Sequence, residues 1–406
     1  MQRHLAQMER GRTEEDNSEG KDRYPRERHS NRDAKKKNMM NRMIVGNLVH
    51  RPVRSLISIV AVALEVTLIL LIVGLCLGLM QDSRTRTAGI GADILVRPPG
   101  SSFISAFSGA PMPIKVGDVL AKLPHVKSVA PVITQVATSG SVEVIAGIDL
   151  RSYEGMSGGF HYLQGGPFQG PYDVLVDDLY AQSKHAKVGD TIDILNTKFR
   201  ICGIVERGKG GRKFVPLSTL QDMMLAQDKA SIFYLKLDDP ANVDTVIDEI
   251  KAVPGMEHYV ATSMAAYLAM MTASNYPGLS TFIDVVVGIS VVIGFIVIFQ
   301  AMYTAVMERT REIGILKAMG ASRLYIVNVV LRETLLLALA GIILGVAVSL
   351  AARVGLAQKF PLVQVVVDRG WVVRAFFIAI AGAMAGALYP AFKAARKDPI
   401  DALAYE

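Results

Sequence analysis

The amino-acid sequence predicts an α-helical membrane protein with four transmembrane helices and an α+β extracytoplasmic domain between helices 1 and 2. Three observations predict this class. The chain of 406 residues is 51% hydrophobic yet 20% charged, too apolar for an ordinary soluble protein and too charged for a bare helical bundle. Four stretches, roughly Leu56–Met80, Phe282–Met307, Tyr325–Ala352 and Trp371–Tyr389, reach the ~20 apolar residues needed to cross the hydrocarbon. Between the first two lies a polar, β-branched region of about 195 residues, enough for one or two folded lobes.

From the N-terminus, residues 1–42 are polar and mixed in charge, cannot bury a core, and are expected to form a disordered cytoplasmic tail. Met39, Met40 or Met43 would serve equally as the start. Residues 43–80 hold a juxtamembrane helix and the first span. That span is too long for a signal-peptide core and lacks a small-residue cleavage pattern, so it reads as a retained anchor. Lys35, Lys36, Lys37, Arg42, Arg51 and Arg54 precede it and place the N-terminus inside. Residues 81–262 then lie outside.

Within that region Ala92–Arg97, Val116–Leu123 and Val126–Val132 read as strand, helix and strand, and Ser231–Leu237, Ala241–Ala252 and His258–Ala261 repeat the pattern. Both helices end in similar phrases, Leu123-Pro124-His125-Val126 and Val253-Pro254-Gly255-Met256. Two such βαβ units can share one sheet with their helices on one face, as in ferredoxin-like folds, although a match this short also arises by chance. Between them the signal is β-rich: Val188–Ile194 alternates after a Gly189-Asp190 turn, Phe199–Val205 supplies a partner strand, and Gly208–Gly211 reads as a flexible loop. An inserted β-rich lobe is the expectation. Residues 263–277, helical over Ser263–Ser274, form a candidate stalk into the second span at 278–307.

Residues 308–323 join two apolar spans and are dense in Arg, Glu and Lys. Short basic connections stay inside. The charges point all round a helical wheel, so the segment suits a protein cleft better than a lipid surface. After it come the third span (324–352), a short outer loop (353–370), the fourth span (371–390) and a cytoplasmic C-terminus (391–406). Trp371, Arg369 and Arg374 mark an interfacial end of the last span.

The run Glu308-Arg309-Thr310-Arg311-Glu312-Ile313-Gly314-Ile315-Leu316-Lys317-Ala318-Met319-Gly320 strongly resembles the cytoplasmic coupling segment of ABC transporter permeases of the MacB/FtsX type. The C-terminal phrase from Gly386 to Leu403, the Gly91-Ala92-Asp93 strand start and Val188-Gly189-Asp190 match the same family in order. The resemblance implies a pair of permeases, identical or not, working with a separate ABC ATPase subunit and a periplasmic adaptor in the bacterial inner membrane. ATP-driven closure would be transmitted through spans and stalks to the outer domain. It assigns ATPase coupling to Glu308, Arg309, Arg311, Glu312, Ile313, Gly314, Ile315, Leu316, Lys317 and Gly320. As a helix of roughly 18 Å the run would lodge in a partner groove, with Glu308 and Glu312 on one face beside Arg311. Gly314 and Gly320 would allow close backbone contact, and Ile313, Ile315 and Leu316 would supply apolar burial.

The chain departs from MacB in having only a polar tail ahead of the first span. No G-x-x-x-x-G-K-[ST] occurs, so ATP and Mg are expected on the partner and no cofactor on this chain. Two rivals remain open: an FtsX-like signalling subunit that regulates an extracytoplasmic cell-wall hydrolase, and a lipoprotein-releasing permease like the LolC/LolE relatives. The large outer region favours export.

Other chemistry finds little footing. No H-E-x-x-H, EF-hand or G-x-S-x-G pattern appears, the seven histidines are scattered, and no catalytic or metal site is expected. Cys76 lies in a span and Cys202 in the outer region, so they form no framework. The net charge of +7 gathers beside the spans, where it meets anionic lipid rather than nucleic acid. Gly74-x-x-x-Gly78, Gly341-x-x-x-Gly345 and Gly382-x-x-x-Gly386 allow close helix approach, within the chain or between copies. Glu65 lies roughly 13 Å inside the first span, where a carboxylate is costly. It reads either as a functional group or as a neutral acid hydrogen-bonded near Thr67 or Gln300.

Overall fold

A computed structural model describes residues 52–100, 112–137, 143–272, 275 and 278–397. The expected tail, the Met43–Arg51 segment and the end of the C-terminal phrase lie outside the described residues. In chain order the elements are α1 (Pro52–Ala88), β1 (Ile94–Arg97), β2 (Met112–Pro113), α2 (Lys115–Leu120), β3 (Val126–Ala137), β4 (Glu143–Ile148) and α3 (Leu150–Ser157). Next come β5 (Tyr162–Gly165), β6 (Asp173–Asp177), α4 (Asp178–Lys184), β7 (Thr191–Ile194), β8 (Thr197–Val205), β9 (Lys213–Pro216), α5 (Leu217–Met223) and β10 (Lys229–Ala230). The chain continues through β11 (Ile232–Leu237), α6 (Val243–Ala252), β12 (Val260–Ser263) and α7 (Met264–Met270). It closes with α8 (Leu279–Glu308), α9 (Thr310–Ala318), α10 (Arg323–Lys359) and α11 (Arg369–Arg396). It divides into a helical unit (Met1–Leu68, Gly288–Val348, Val372–Glu406) and a sheet unit (Ile69–Val287, Ser349–Trp371).

Among the described residues, four helices are long and apolar enough to cross a membrane: Ser55–Ala88, Leu279–Glu308, Arg323–Lys359 and Arg369–Arg396. In the helical unit, glycines permit close packing. A Cβ on Gly341 would come within 2.6 Å of Val62 Cβ, and one on Gly386 within 2.8 Å of the Phe295 carbonyl oxygen. Thr67 donates to the Gly345 carbonyl at 3.2 Å, bonding α1 to α10 through a polar contact suited to lipid surroundings. Along α8, Phe282, Val285, Ile289 and Val292 stay exposed, as expected of a surface that faces acyl chains rather than water. α11 runs through Pro390 to Arg396, past the expected end of the fourth span.

In the sheet unit the strand order is β12-β1-β11-β3-β4-β9-β6-β8-β5, with β7 also on β8, and β2 pairs separately with β10. Both expected βαβ units are present and interlocked. β1 and β3 flank β11 antiparallel, while β11 and β12 flank β1 in the same way, so each unit's strands admit one strand of the other. Leu120 of α2 and Val246 and Ile250 of α6 pack on Ile94, Val96, Phe233 and Leu235, on one face. The similar closing phrases also share a conformation: His125 (φ 65°) and Gly255 (φ 87°) both take the left-handed turn after their Pro.

The expected β-rich insertion is present with a core of its own, and its strands continue the same sheet. β3 pairs antiparallel with β4 from Val132↔Ile148 to Ala137↔Glu143, and β4 runs parallel to β9. Each added strand thus satisfies the backbone edge left by the one before. Ile133, Ile145, Val174, Phe199, Val215 and Leu220 form its core. β7 and β8 make the expected hairpin, closed by Leu195 and Asn196 in left-handed conformations that match strand twist. Gly74 and Gly78 receive the chain between α10 and α11 rather than another helix: Val366 N donates to the Gly74 carbonyl at 2.9 Å, and a Cβ on Gly78 would overlap the Gln364 carbonyl.

Candidate functional site

The charged run does not form one helix from Glu308 to Gly320. α8 ends at Glu308, Arg309 leaves helical geometry (φ −102°, ψ 16°), and α9 begins at Thr310. The Thr310 hydroxyl bonds back to the carbonyls of Met307 (2.8 Å) and Val306 (3.3 Å), satisfying acceptors that the helix end leaves open. At the other end, Ala321 N donates to Leu316 O and Gly320 N to Lys317 O, with Gly320 at φ +91°. This is a Schellman turn, and only glycine adopts its left-handed position cheaply. α9 is therefore a short rod of roughly 13 Å at 1.5 Å per residue, held at both ends.

Tertiary contacts sort the run into two sets. Ile313 and Gly314 are buried against the bundle. Arg309 forms an ion pair with Glu333 of α10 at 3.1 Å, with side chains only 11% and 6% exposed. Lys317 reaches across to α11, where its ammonium donates to the carbonyls of Ala395 (3.1 Å) and Lys397. A cation at a helix C-terminus complements both the open carbonyls and the helix dipole. Nearby, the Lys393 ammonium donates to the Tyr303 hydroxyl at 2.8 Å and lies over the same ring, fastening α11 to α8. A largely apolar cavity of about 60 Å³ borders α9, lined by Met302, Val306, Ile313, Leu316, Ile326 and Val330 and rimmed by the charged Arg309, Glu312 and Glu333.

The other set faces away. Glu308, Arg311, Glu312, Ile315 and Gly320 are exposed, with Met319 and Leu324 beside them at 71% and 78% exposure. Glu308 and Glu312, expected on one face of one helix, belong to different helices. Gly314 makes its close approach inside the chain, and Gly320 serves a turn. Sequence reasoning missed Glu333, although its charge in an apolar span was the available signal. It also missed Tyr303 and the mutual fastening of the lysines. What remains is a short rod braced on three helices, presenting an Arg–Glu pair and exposed Ile, Met and Leu side chains.

Glu65 occupies a separate place inside the helical unit. It is 3% exposed, and its Oε1 has no hydrogen-bond partner. Neither expected neighbour supplies one: Thr67 bonds Gly345, and Gln300 lines a crevice with Pro52 and Ile57. The carboxyl instead fits where α8 and α11 lack side chains. A Cβ on Gly294 would overlap Oε2, and one on Gly382 would stand 3.8 Å from Oε1. Among the described residues no cluster of three His, Cys, Asp or Glu is arranged to hold a metal.

Comparison with known proteins gives two family matches: residues 55–253 match the MacB-like periplasmic core domain, and residues 285–399 match the FtsX-like permease C-terminal family. The macrolide export ATP-binding/permease protein MacB of Shewanella sp. (strain W3-18-1) is 26% identical over 384 residues, which cover 88% of this chain and 59% of that protein. The protein of the same name from Bdellovibrio bacteriovorus is 30% identical over 236 residues, covering 54% of this chain and 36% of that protein. The chain thus spans about three fifths of the length of the first of these relatives. Among solved structures, the periplasmic region of MacB from Actinobacillus actinomycetemcomitans aligns with 45% of this chain and 94% of its own (TM-score 0.36, 18% identity). The extracellular domain of the noncanonic ABC-type transporter YknZ from Gram-positive bacteria aligns with 42% and 98% (TM-score 0.33, 12% identity). With one family match over the first helix and sheet, and the other over the three remaining spans and their charged turn, the chain belongs to the MacB/FtsX-type ABC transporter permeases and is a multi-pass membrane protein.

Proposed function

We propose that this chain is the membrane subunit of an ABC export system, converting ATP hydrolysis on a partner ATPase into movement of the sheet region outside the membrane. It works as a dimer in the bacterial inner membrane with both termini cytoplasmic, and hands its substrate to an extracytoplasmic adaptor. Basic residues flanking the spans support that orientation. The named MacB relatives support export, and because these 406 residues hold no P-loop, this reading assigns ATP and Mg to an ATPase outside them.

One observation carries the reading: α9 is braced from within by Arg309, Ile313 and Lys317 while Arg311, Glu312 and Ile315 stay outward. A rod loosely attached would absorb a push from the partner. One fixed to α10 and α11 by an ion pair and a lysine passes the push to both spans. The outward charges are individually weak in water, so the exposed Ile315 and Met319 must supply much of the grip.

The test is charge reversal, Arg311→Glu with Glu312→Lys. The variant should insert and fold normally yet lose co-purification with its ATPase, along with ATP-dependent growth protection. Normal binding and stimulation of the ATPase by this variant would remove the assignment of α9 as the coupling element.

A further inference from the structure

The end of α1 nearest the sheet is clamped to the inserted strands, entirely within the sheet unit. Asp82, near that end, accepts from Arg86 Nε one turn later (3.0 Å) and from Arg212 Nη2 (2.7 Å). Arg212 Nη1 lies 3.6 Å from Asp177 Oδ2, and Asp177 ends β6 and caps α4 by accepting from Tyr180 N at 2.7 Å. These side chains are 1–19% exposed, so water screens the group far less than a surface pair. Asp178 beside it bonds Arg207 rather than joining the cluster.

Backbone groups close the same joint. Gly210 N donates to the Arg86 carbonyl at 2.8 Å, using an acceptor that the helix terminus leaves open. A Cβ on Gly89 would overlap the Gly208 carbonyl, and Tyr153 Oη donates to Lys209 O at 2.7 Å from the other side. The Gly208–Gly211 loop, expected to be flexible from its composition, is therefore held on both flanks.

α1 consequently has two connections to the sheet. Its own chain turns at Gly89–Gly91 into β1, in the ferredoxin-like part. Through the joint it grips the loop between β8 and β9, in the inserted part. We propose that the Asp82–Arg212–Asp177 joint, with the Gly208–Gly211 loop, is the positioning element that makes the inserted strands follow α1, so that both parts of the sheet move with one helix. This rests on the reading of the chain as a subunit driven by a partner ATPase. Without the joint, α1 would drive β1 directly and reach the inserted strands through the β3–β4 pairing and the apolar core that Ile90 shares with Leu175, Val205 and Phe214. Two carboxylates and two guanidiniums balance in the cluster, and loss of Arg212 leaves Asp82 and Asp177 sharing the single cation of Arg86.

The full chain with its ATPase in lipid nanodiscs tests this. Cys76 and Cys202 are replaced by Ala, and Asp82→Cys with Arg212→Cys supplies thiols for a short bis-methanethiosulfonate bridge that reductant removes. Without the bridge, amide exchange at 208–212 should rise about 10-fold and ATP-driven activity fall by a similar factor, with ATPase binding unchanged. The bridge should restore both. Unchanged exchange without the bridge would show that no clamp exists. Faster exchange with full activity would show that the joint carries no movement, and a bridged protein that is protected but inactive would show that the joint must open. A parent complex that exchanges as expected but shows no ATP-driven activity would instead refute the proposed function, and the lever with it.

Discussion

The helical unit and the sheet unit are held together in opposite ways. In the sheet unit, large side chains disappear from solvent: Phe199, Phe214 and Phe233 are fully buried, and stacked, tilted and edge-to-face contacts join Tyr153, Phe160 and Phe214. In the helical unit many large apolar groups, such as Ile289, Val292 and Phe377, stay outward. Small residues line much of α11, where Ala375, Ala379, Ala383, Ala387 and Ala391 are buried beside larger buried groups such as Ile298, Met302 and Leu337. Water drives apolar burial, whereas lipid offers no such drive and rewards close backbone approach and polar pairing instead. The comparison teaches that burial means different things in the two units. In the sheet unit a buried position carries volume, and in the helical unit, along α11 above all, it often carries smallness instead.

The strongest way to break that comparison is paired truncation. Phe214→Ala should cost ~3–5 kcal/mol and lower the unfolding midpoint of the sheet region, as expected for a fully buried aromatic. Ile293→Ala, on a half-exposed position of α8 within the helical unit, should leave thermal unfolding of the full chain in lipid nearly unchanged. Equal effects would mean that α8 is packed against protein along this face.

Next in size is the contrast inside the coupling run. Arg309→Ala leaves Glu333 buried without its guanidinium and should cost ~3–5 kcal/mol, read as loss of folded protein after detergent extraction. Arg311→Ala, two residues on and exposed, should change stability by no more than about 0.5 kcal/mol while weakening ATPase association. Similar stability losses for both would show that α9 is not sorted into a bracing set and an outward set.

The smallest effect concerns pH in the sheet unit. Burial pushes the Asp177 carboxyl up from 3.8 to about 6, against the opposing pull of the Tyr180 N–H and Arg212. Between those values the folded chain keeps a proton that the unfolded chain has lost. The contribution of Asp177 to stability is therefore full below about pH 4, falls as pH rises towards 6, and is level above. At 1.36 kcal/mol per unit the loss is at most ~3 kcal/mol. Asp177→Asn keeps the cap on α4 and cannot ionise, so between pH 4 and pH 7.5 its stability should shift relative to the parent by ~1–3 kcal/mol in favour of the variant, whatever the substitution costs at pH 4. Thermal unfolding at the two pH values checks this, and a pH-independent difference would remove Asp177 as the cause.

Much of the architecture was legible because it rests on local or periodic signals. Four spans follow from length and apolarity, the two βαβ units from alternation and from their matching Pro turns, and the β7–β8 hairpin from its flanking strands. Gly320 was legible as special, but not as the left-handed residue of a turn rather than a contact. The continuation of the sheet from β3 into β4 was not legible, since strand pairing between distant segments leaves no periodic trace in either one. Composition misled at Gly208–Gly211, where glycines permit tight docking as readily as motion.

By itself, the sequence determined the number of spans, the ferredoxin-like pairing of the βαβ units and the location of the charged turn, because hydrophobic length, periodicity and turn chemistry act on neighbouring residues. Only the tertiary structure decided which charges of that turn are used internally, that Glu65 lies against Gly294 and Gly382, and that α1 is fastened to the inserted strands. Arg309 and Arg311 are the same residue type two positions apart. One is neutralised by Glu333, 24 residues away on another helix, and the other is left exposed. Such choices depend on which distant groups share a low-dielectric space, and that is fixed only when the helices and strands have packed.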